Sequence, residues 1–361
     1  MPVYLDRLPC SQDLLRHAKI LRGRPEELRR SAPCIDIGII NNMPDGALES
    51  TERQFLTLLG AAADGLFVRV KFYALPGIPR SDSGQRHITS FYSDIDDLWD
   101  RRLDGLIVTG TEPRAPSLIN ESYWPALARV LDWAEHNTYS TIWSCLAAHA
   151  AVLHIDGISR HRLRDKRFGL FECTRASDHL LMTGLAAPVM MPHSRWNDLA
   201  EDELLEAGYL VLTRSPDAGV DAFVKQRRSL FILFQGHPEY EANTLLLEYR
   251  RDVGRYLREE SDEYPTMPYG YFGSETVEAL TELAQEALRD RREGLLANFP
   301  TSLASHTETW PWRTAAASVY TNWLSYLWAM KQRLVKAPRC RNGSGAEKEV
   351  LPTRSAVAGV D

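Results

Sequence analysis

The sequence has little cysteine and no cysteine pattern. Its five cysteines, Cys10, Cys34, Cys145, Cys173 and Cys340, are odd in number, widely spaced and without a CxxC pair. A disulfide framework and a zinc ribbon are both disfavoured, and a reducing cytoplasm is the expected compartment. Long apolar runs are absent too: no stretch approaches the roughly 18 residues of a membrane-spanning helix. The opening MPVYLDRLPCSQDLLRHAKILRGR has no uninterrupted apolar segment of signal-peptide type, so no membrane association is expected. Positive charge is not in excess. Lys+Arg total 42 against 48 Asp+Glu, a net charge of −6, which argues against nucleic acid or an anionic membrane as partner. Neither GxGxxG nor GxxxxGK[ST] occurs, so no nucleotide phosphate cradle is supported. Internal repeats are also lacking.

What remains is an ordinary globular composition. The 361 residues are 44% hydrophobic and 25% charged, enough to bury a sizeable core without covalent staples. Residues 1–33 are basic and patternless and read as an extension. Apolar strand-like runs follow at CIDIGIIN (34–41), FVRVKFYAL (67–75), LDGLIVTG (103–110) and STIWSC (140–145). Helical periodicity covers 47–63, 124–137 and 146–157, the last stopped by Gly157. The segment from Pro76 to Gln85 reads as a Gly/Pro/Ser loop. This alternation predicts an α/β fold with a mostly parallel central sheet flanked by helices. From 167 onward RFGLFECT, PVMMPHS, GYLVLTRS, DAFVKQ and SLFILFQG follow at short spacing and predict added antiparallel strands. Helices are expected over 241–260, 275–295 and 315–335, and residues 336–361 read as a disordered tail. The main domain is thus expected over 34–335.

Cys145 is the sharpest chemical feature. It ends an apolar strand and precedes an Ala-rich helix. Strand ends of α/β sheets line the ligand crevice, and a residue on a tight strand-to-helix turn projects into it as a nucleophile elbow. The helix N-terminus favours a thiolate and can hold an oxyanion. Position alone leaves a buried, inert cysteine open. A base is available in GHPEY, just past the strand SLFILFQ: His237, with Glu239 two residues on to orient it. Cysteine elbow and strand-end HxE together have the logic of a Cys–His–carboxylate acyl-transfer site. His149 and His154, spaced i, i+5, do not share a helix face, so no metal is expected there. His193 is assigned a supporting role. Arg251 and Lys166 are candidates to grip an anionic substrate, against the plainer reading of solvated surface cations.

Taken in order, LDGLIVTG, YWPAL…VLDWAEHNTYST, Cys145 followed by xAAxAA, KRFGLFE, PHSRW, GHPEYEANTL…RRDV and YTNWLSY resemble the homoserine O-succinyltransferase/acetyltransferase family, over roughly residues 34–330. The resemblance implies a class I glutamine amidotransferase-like fold. It also implies acyl transfer from acyl-CoA to the hydroxyl of L-homoserine in methionine biosynthesis, without a bound cofactor, by a homodimer. Carried over by motif, Cys145 is the acyl-accepting nucleophile, His237 the general base and Glu239 its partner. Lys166 and Ser194 surround the substrate, and Arg251 holds the amino-acid carboxylate. Backbone N–H groups of Leu146 and of the loop after Gly110 supply the oxyanion hole. The implied mechanism is ping-pong.

The sequence also departs from the family pattern. Asp45-Gly46 replaces a usual Lys pair after NNMP, Cys145-Leu146 replaces Cys-Trp, and His149 replaces a usual Gln. In TGTEPRAPS, Arg114 stands nearest the acyl-donor selector position, and an arginine there suits the free carboxylate of a succinyl donor. Two other classes stay open on the residues. One is a glutamine amidotransferase-like hydrolase, which would want glycines where Trp143 and Ala147 stand. The other is a non-catalytic binding homologue.

Overall fold

A computed structural model describes residues 3–5, 7, 34–300 and 311–336. Among them ten strands form one sheet in the order β1-β3-β2-β4-β5-β10-β9-β8-β6-β7. β1 (Val3–Leu5), β2 (Cys34–Ile40), β3 (Phe67–Tyr73), β4 (Gly105–Val108), β5 (Ser140–Ser144) and β10 (Leu230–Phe234) are parallel. β9 (Gly219–Gln226), β8 (Leu210–Ser215), β6 (His161–Arg175) and β7 (Val189–Asp198) extend the sheet antiparallel beyond β10. The mostly parallel sheet with an antiparallel extension is the architecture expected from the sequence.

Burial on both faces explains why the parallel strands are nearly unbroken apolar runs. One face packs Ile35, Ile37, Ile39, Val70 and Ile107 against α1 (Leu48–Ala62) and the last helix, α9 (Arg313–Lys336), through Phe55, Leu59, Trp323 and Leu327. The other packs Leu106, Val108, Trp143 and Leu233 against α4 (Trp124–Asn137) and α5 (Leu146–Asp156). A third cluster joins Phe168 and Leu170 of β6 to α7 (Thr244–Leu257) and α8 (Ser274–Arg289).

Three expectations need correction. The extension over 1–33 is not wholly separate, because Val3–Leu5 is a buried edge strand paired with β3. Residue 6 and residues 8–33 lie outside the described residues, as do 337–361, where the disordered tail is expected. The loop from Pro76 ends early: α2 (Asp82–Phe91) begins there, capped by Ser81 Oγ accepting from the Gly84 N–H. A parallel β3–β4 connection needs a crossover of this kind, and the polar sequence SDSGQRHITSF obscures its periodicity. Finally, β6 starts at His161, six residues before RFGLFECT, because its largely exposed beginning HRLRD carries no apolar pattern. Two short helices, α3 (Asp96–Trp99) and α6 (Glu201–Glu206), complete the α-helices among the described residues. None of the described helices is long and apolar enough to cross a membrane.

Candidate active site

Strand register brings the key residues together. β5 and β10 are adjacent and parallel, with Ser144 opposite Phe234. The Cys145 N–H continues the ladder by donating to the Phe234 carbonyl at 2.7 Å. Cys145 therefore sits one residue past a registered pair and His237 three residues past it, at the carboxyl end of the sheet. Cys145 occupies φ 51°, ψ −111°, a left-handed conformation that a cysteine adopts only on a sharp turn. It is partly accessible, whereas the side chains of Trp143 and Ala147 on either side are buried. This is the elbow geometry anticipated from the sequence.

The His237 loop is held from behind. Its backbone N–H donates to the Pro192 carbonyl at 2.8 Å, and the Gln235 N–H donates to the Asp221 carbonyl at 2.7 Å. At Gly236 a Cβ would stand 2.7 Å from Met191 Cγ and 3.1 Å from His193 Cε1, so the loop packs too closely there for a side chain. His237 Nδ1 donates to Glu239 Oε1 at 2.9 Å, and Ser144 Oγ donates to the same oxygen at 3.0 Å. This fixes the ring and leaves Nε2 for chemistry. Nε2 is buried without a hydrogen-bond partner, and the Cys145 sulfur is near enough to the ring to favour its charged form. A catalytic hydrogen bond left open in this way is common before a substrate closes the site. Burial pulls the His237 pKa down, but the Glu239 carboxylate and the Cys145 sulfur outweigh it and hold the imidazolium well above the usual histidine range. Tyr240 stacks on the imidazole, with ring centroids 4.1 Å apart.

A second cluster adjoins the first. Tyr240 Oη donates to Glu248 Oε1 on α7, and Ser194 Oγ donates to Glu248 Oε2 at 2.5 Å. Lys166 Nζ donates to Asp252 Oδ2 at 3.0 Å and stands 3.9 Å from Glu248 Oε2. Arg251 pairs with Asp252 at 2.8 Å and is half-exposed. Burial raises the Asp252 pKa, but Lys166 and Arg251 prevail and hold it below the ordinary carboxylate value. The structure thus unites Lys166, Ser194 and Arg251 around Glu248 and Asp252, and Tyr240 links that cluster to His237. Glu248 was not singled out in the sequence. On an amphipathic helix it looks like any solvated acid, and only the approach of β7 and Tyr240 reveals it.

Leu146 begins α5, and the side-chain-free Gly110 lies against it: a Cβ at 110 would be 3.1 Å from the Leu146 nitrogen. The loop after Gly110 is anchored twice. Glu121 Oε1 accepts from the backbone N–H groups of Arg114 at 2.6 Å and Ala115 at 2.7 Å. Arg255 of α7 forks onto Glu112 at 3.0 and 3.1 Å. The side chain of Arg114 itself is exposed.

His149, His154 and His193 have internal partners away from the reacting pair. Burial depresses His149 to about 3, and its Nε2 meets Gln235 Oε1 at 2.8 Å. His154 meets Asp132 at 2.8 Å. Cys173, His193 and Asp221 converge in the core, with ligand atoms within 4.8 Å of one another. His193 Nδ1 already accepts from Arg195 Nε at 3.4 Å, and Nε2 faces Asp221 Oδ1 at 3.3 Å. A guanidinium beside a neutral thiol suits an internal His–Asp pair better than a cation site.

Comparison with known proteins gives the family of this chain. The sequence model of the homoserine O-succinyltransferase family matches residues 3–334. A homoserine O-succinyltransferase of Rhodopseudomonas palustris is 47% identical over 301 residues, covering 83% of this chain and 90% of that one. One from Methylorubrum extorquens is 44% identical and covers 83% of this chain and 88% of its own. Among solved structures, a glutamine amidotransferase from Methylobacillus Flagellatus is 16% identical, with a TM-score of 0.46 over 88% of this chain and 100% of that one.

Proposed function

The chain belongs to the homoserine O-succinyltransferase family, and from that premise we propose how it transfers a succinyl group from succinyl-CoA to the hydroxyl of L-homoserine. The observation that carries the reading is the alignment of Cys145, His237 and Glu239 at adjoining strand ends, with Glu239 bound to His237 at 2.9 Å.

In the first half-reaction the Cys145 sulfur, its proton passed to His237 Nε2, attacks the thioester carbonyl. The tetrahedral oxyanion is received by the N–H of Leu146 and the loop at Gly110. The carbon–sulfur bond to coenzyme A breaks, and His237 returns its proton to the departing thiolate. The product is a Cys145 thioester.

In the second half-reaction homoserine occupies the cluster on α7. Arg251 receives its carboxylate, and Glu248 receives its ammonium group beside Ser194 and Lys166. His237 takes the hydroxyl proton as the oxygen attacks the acyl carbon, then gives it to the departing sulfur and restores the thiol. No resident cofactor enters the scheme; acyl-CoA is a co-substrate. Glu239 keeps the imidazole oriented and its cation stabilised in both halves. The family resemblance adds a cytoplasmic homodimer, which sedimentation velocity reads out.

Steady-state kinetics test the scheme. Double-reciprocal plots at several homoserine concentrations should be parallel, and coenzyme A should appear in a burst before acceptor is added. Intersecting lines with no burst would mean direct transfer without an acyl-enzyme.

A further inference from the structure

A third group of polar side chains, one of them within electrostatic reach of Cys145, shares no partner with the cluster on α7. Arg160 closes the four-residue turn between α5 and β6 (157–160). Its guanidinium is partly buried and within electrostatic reach of the Cys145 sulfur, the Tyr123 phenol and the Glu121 carboxylate. Among the described residues it nevertheless forms no hydrogen bond and no ion pair. Tyr123 precedes α4, and its Oη is buried without a hydrogen-bond partner. Glu121 spends its Oε1 on the Arg114 and Ala115 N–H groups and makes no hydrogen bond to Arg160 or Tyr123. A partly desolvated guanidinium within electrostatic reach of the nucleophile, with a buried, unpartnered phenol near it, leaves room for an acceptor that a ligand would supply.

We propose that Arg160, assisted by Tyr123, binds the terminal carboxylate of the succinyl chain and so sets the acyl-donor preference. The inference rests on Cys145 being the acyl acceptor. Only two methylenes separate the succinyl carboxylate from the reacting carbonyl, so its counter-charge must lie close to the sulfur. Arg160 is a cation within electrostatic reach of that sulfur, and its planar fork matches a carboxylate. Arg114, the arginine favoured by the sequence pattern, contributes its backbone N–H to Glu121 while its side chain is exposed. The geometry also explains selectivity in one direction. An acetyl or butyryl chain reaches Cys145 but leaves the guanidinium and the phenol unpaired, a stronger rejection than lost contact alone.

The test compares succinyl-CoA with butyryl-CoA, which has the same chain length and a methyl group in place of the carboxylate. Burst acylation is measured for the wild type, Arg160→Gln and Tyr123→Phe. Arg160→Gln should lose about 10–100-fold in acylation efficiency with succinyl-CoA and less than about 3-fold with butyryl-CoA. Tyr123→Phe removes one oxygen and should show a smaller loss confined to succinyl-CoA, which keeps the test available if Arg160→Gln fails to fold. Equal losses with both donors would assign Arg160 to the coenzyme A moiety or to stability and overturn the proposal. No loss with either would also overturn it. Wild-type protein that acylates with neither donor would instead overturn the acyl-enzyme reading beneath it.

Discussion

Replacing Glu239 by Gln removes one charge and almost no volume. Oε1 of Glu239 accepts from His237 Nδ1 at 2.9 Å and from Ser144 Oγ at 3.0 Å, and both neighbours are buried. A Gln side chain can keep an acceptor oxygen in place, so the ring keeps its support and loses its counter-charge. Two unit charges about 4 Å apart interact by about 4 kcal/mol at an effective dielectric constant of about 20. Part of that is recovered by relaxation, so a loss of roughly 3–4 kcal/mol in transition-state stabilisation is expected, or about 10²–10³-fold in turnover. The KM for homoserine should change little, because Glu239 does not reach the cluster on α7. The pH dependence has a defined sign. Glu239 helps to raise the His237 pKa, so the imidazolium form of His237 in the wild type persists to higher pH. In Glu239→Gln it should be lost at lower pH. Stopped-flow acylation across pH 6–10 measures both effects, with a thermal melt to show that the fold is retained. A rate within about 5-fold of wild type and an unmoved pH profile would refute the role given to Glu239.

Arg251→Met should raise the KM for homoserine by about 10–100-fold while the rate of acylation by succinyl-CoA stays constant, measured by separating the two half-reactions. His149 supplies a pH test of stability. Its folded pKa of about 3 lies below the ordinary histidine value, so the unfolded chain binds the extra proton and stability falls as pH drops through that window. At pH 5 the loss is about 2 kcal/mol relative to neutral pH, and His149→Gln should flatten that part of the urea-denaturation profile. Gly236→Ala should destabilise by about 1–3 kcal/mol, because its Cβ meets Met191 and His193, and should lower turnover by displacing His237.

The residues show what a sequence can and cannot convey here. Cys145 and His237 were legible because the first directly follows a short apolar strand and the second stands three residues past another, and the Ser144–Phe234 register then placed them together. Lys166, Ser194 and Arg251 came from motif order, and the structure supplies the physical reason, a shared pair of acids on α7. Glu248 was illegible because its partners are 54 and 8 residues away, on β7 and on the His237 loop. Arg160 was hidden in RHRLRDKR, where one cation looks like the next until its neighbours are known. β1 escaped notice because three residues carry no periodicity, and α2 because its sequence is polar and opens on turn residues.

The central claim is that Cys145 carries the acyl group. Intact-protein and peptide mass spectrometry after brief incubation with succinyl-CoA, without homoserine, tests it most directly. The account predicts one succinyl group on the peptide containing Cys145, discharged on adding homoserine and absent from Cys145→Ala. A succinyl group on another residue, or a Cys145→Ala protein that still turns over at the wild-type rate, would contradict it.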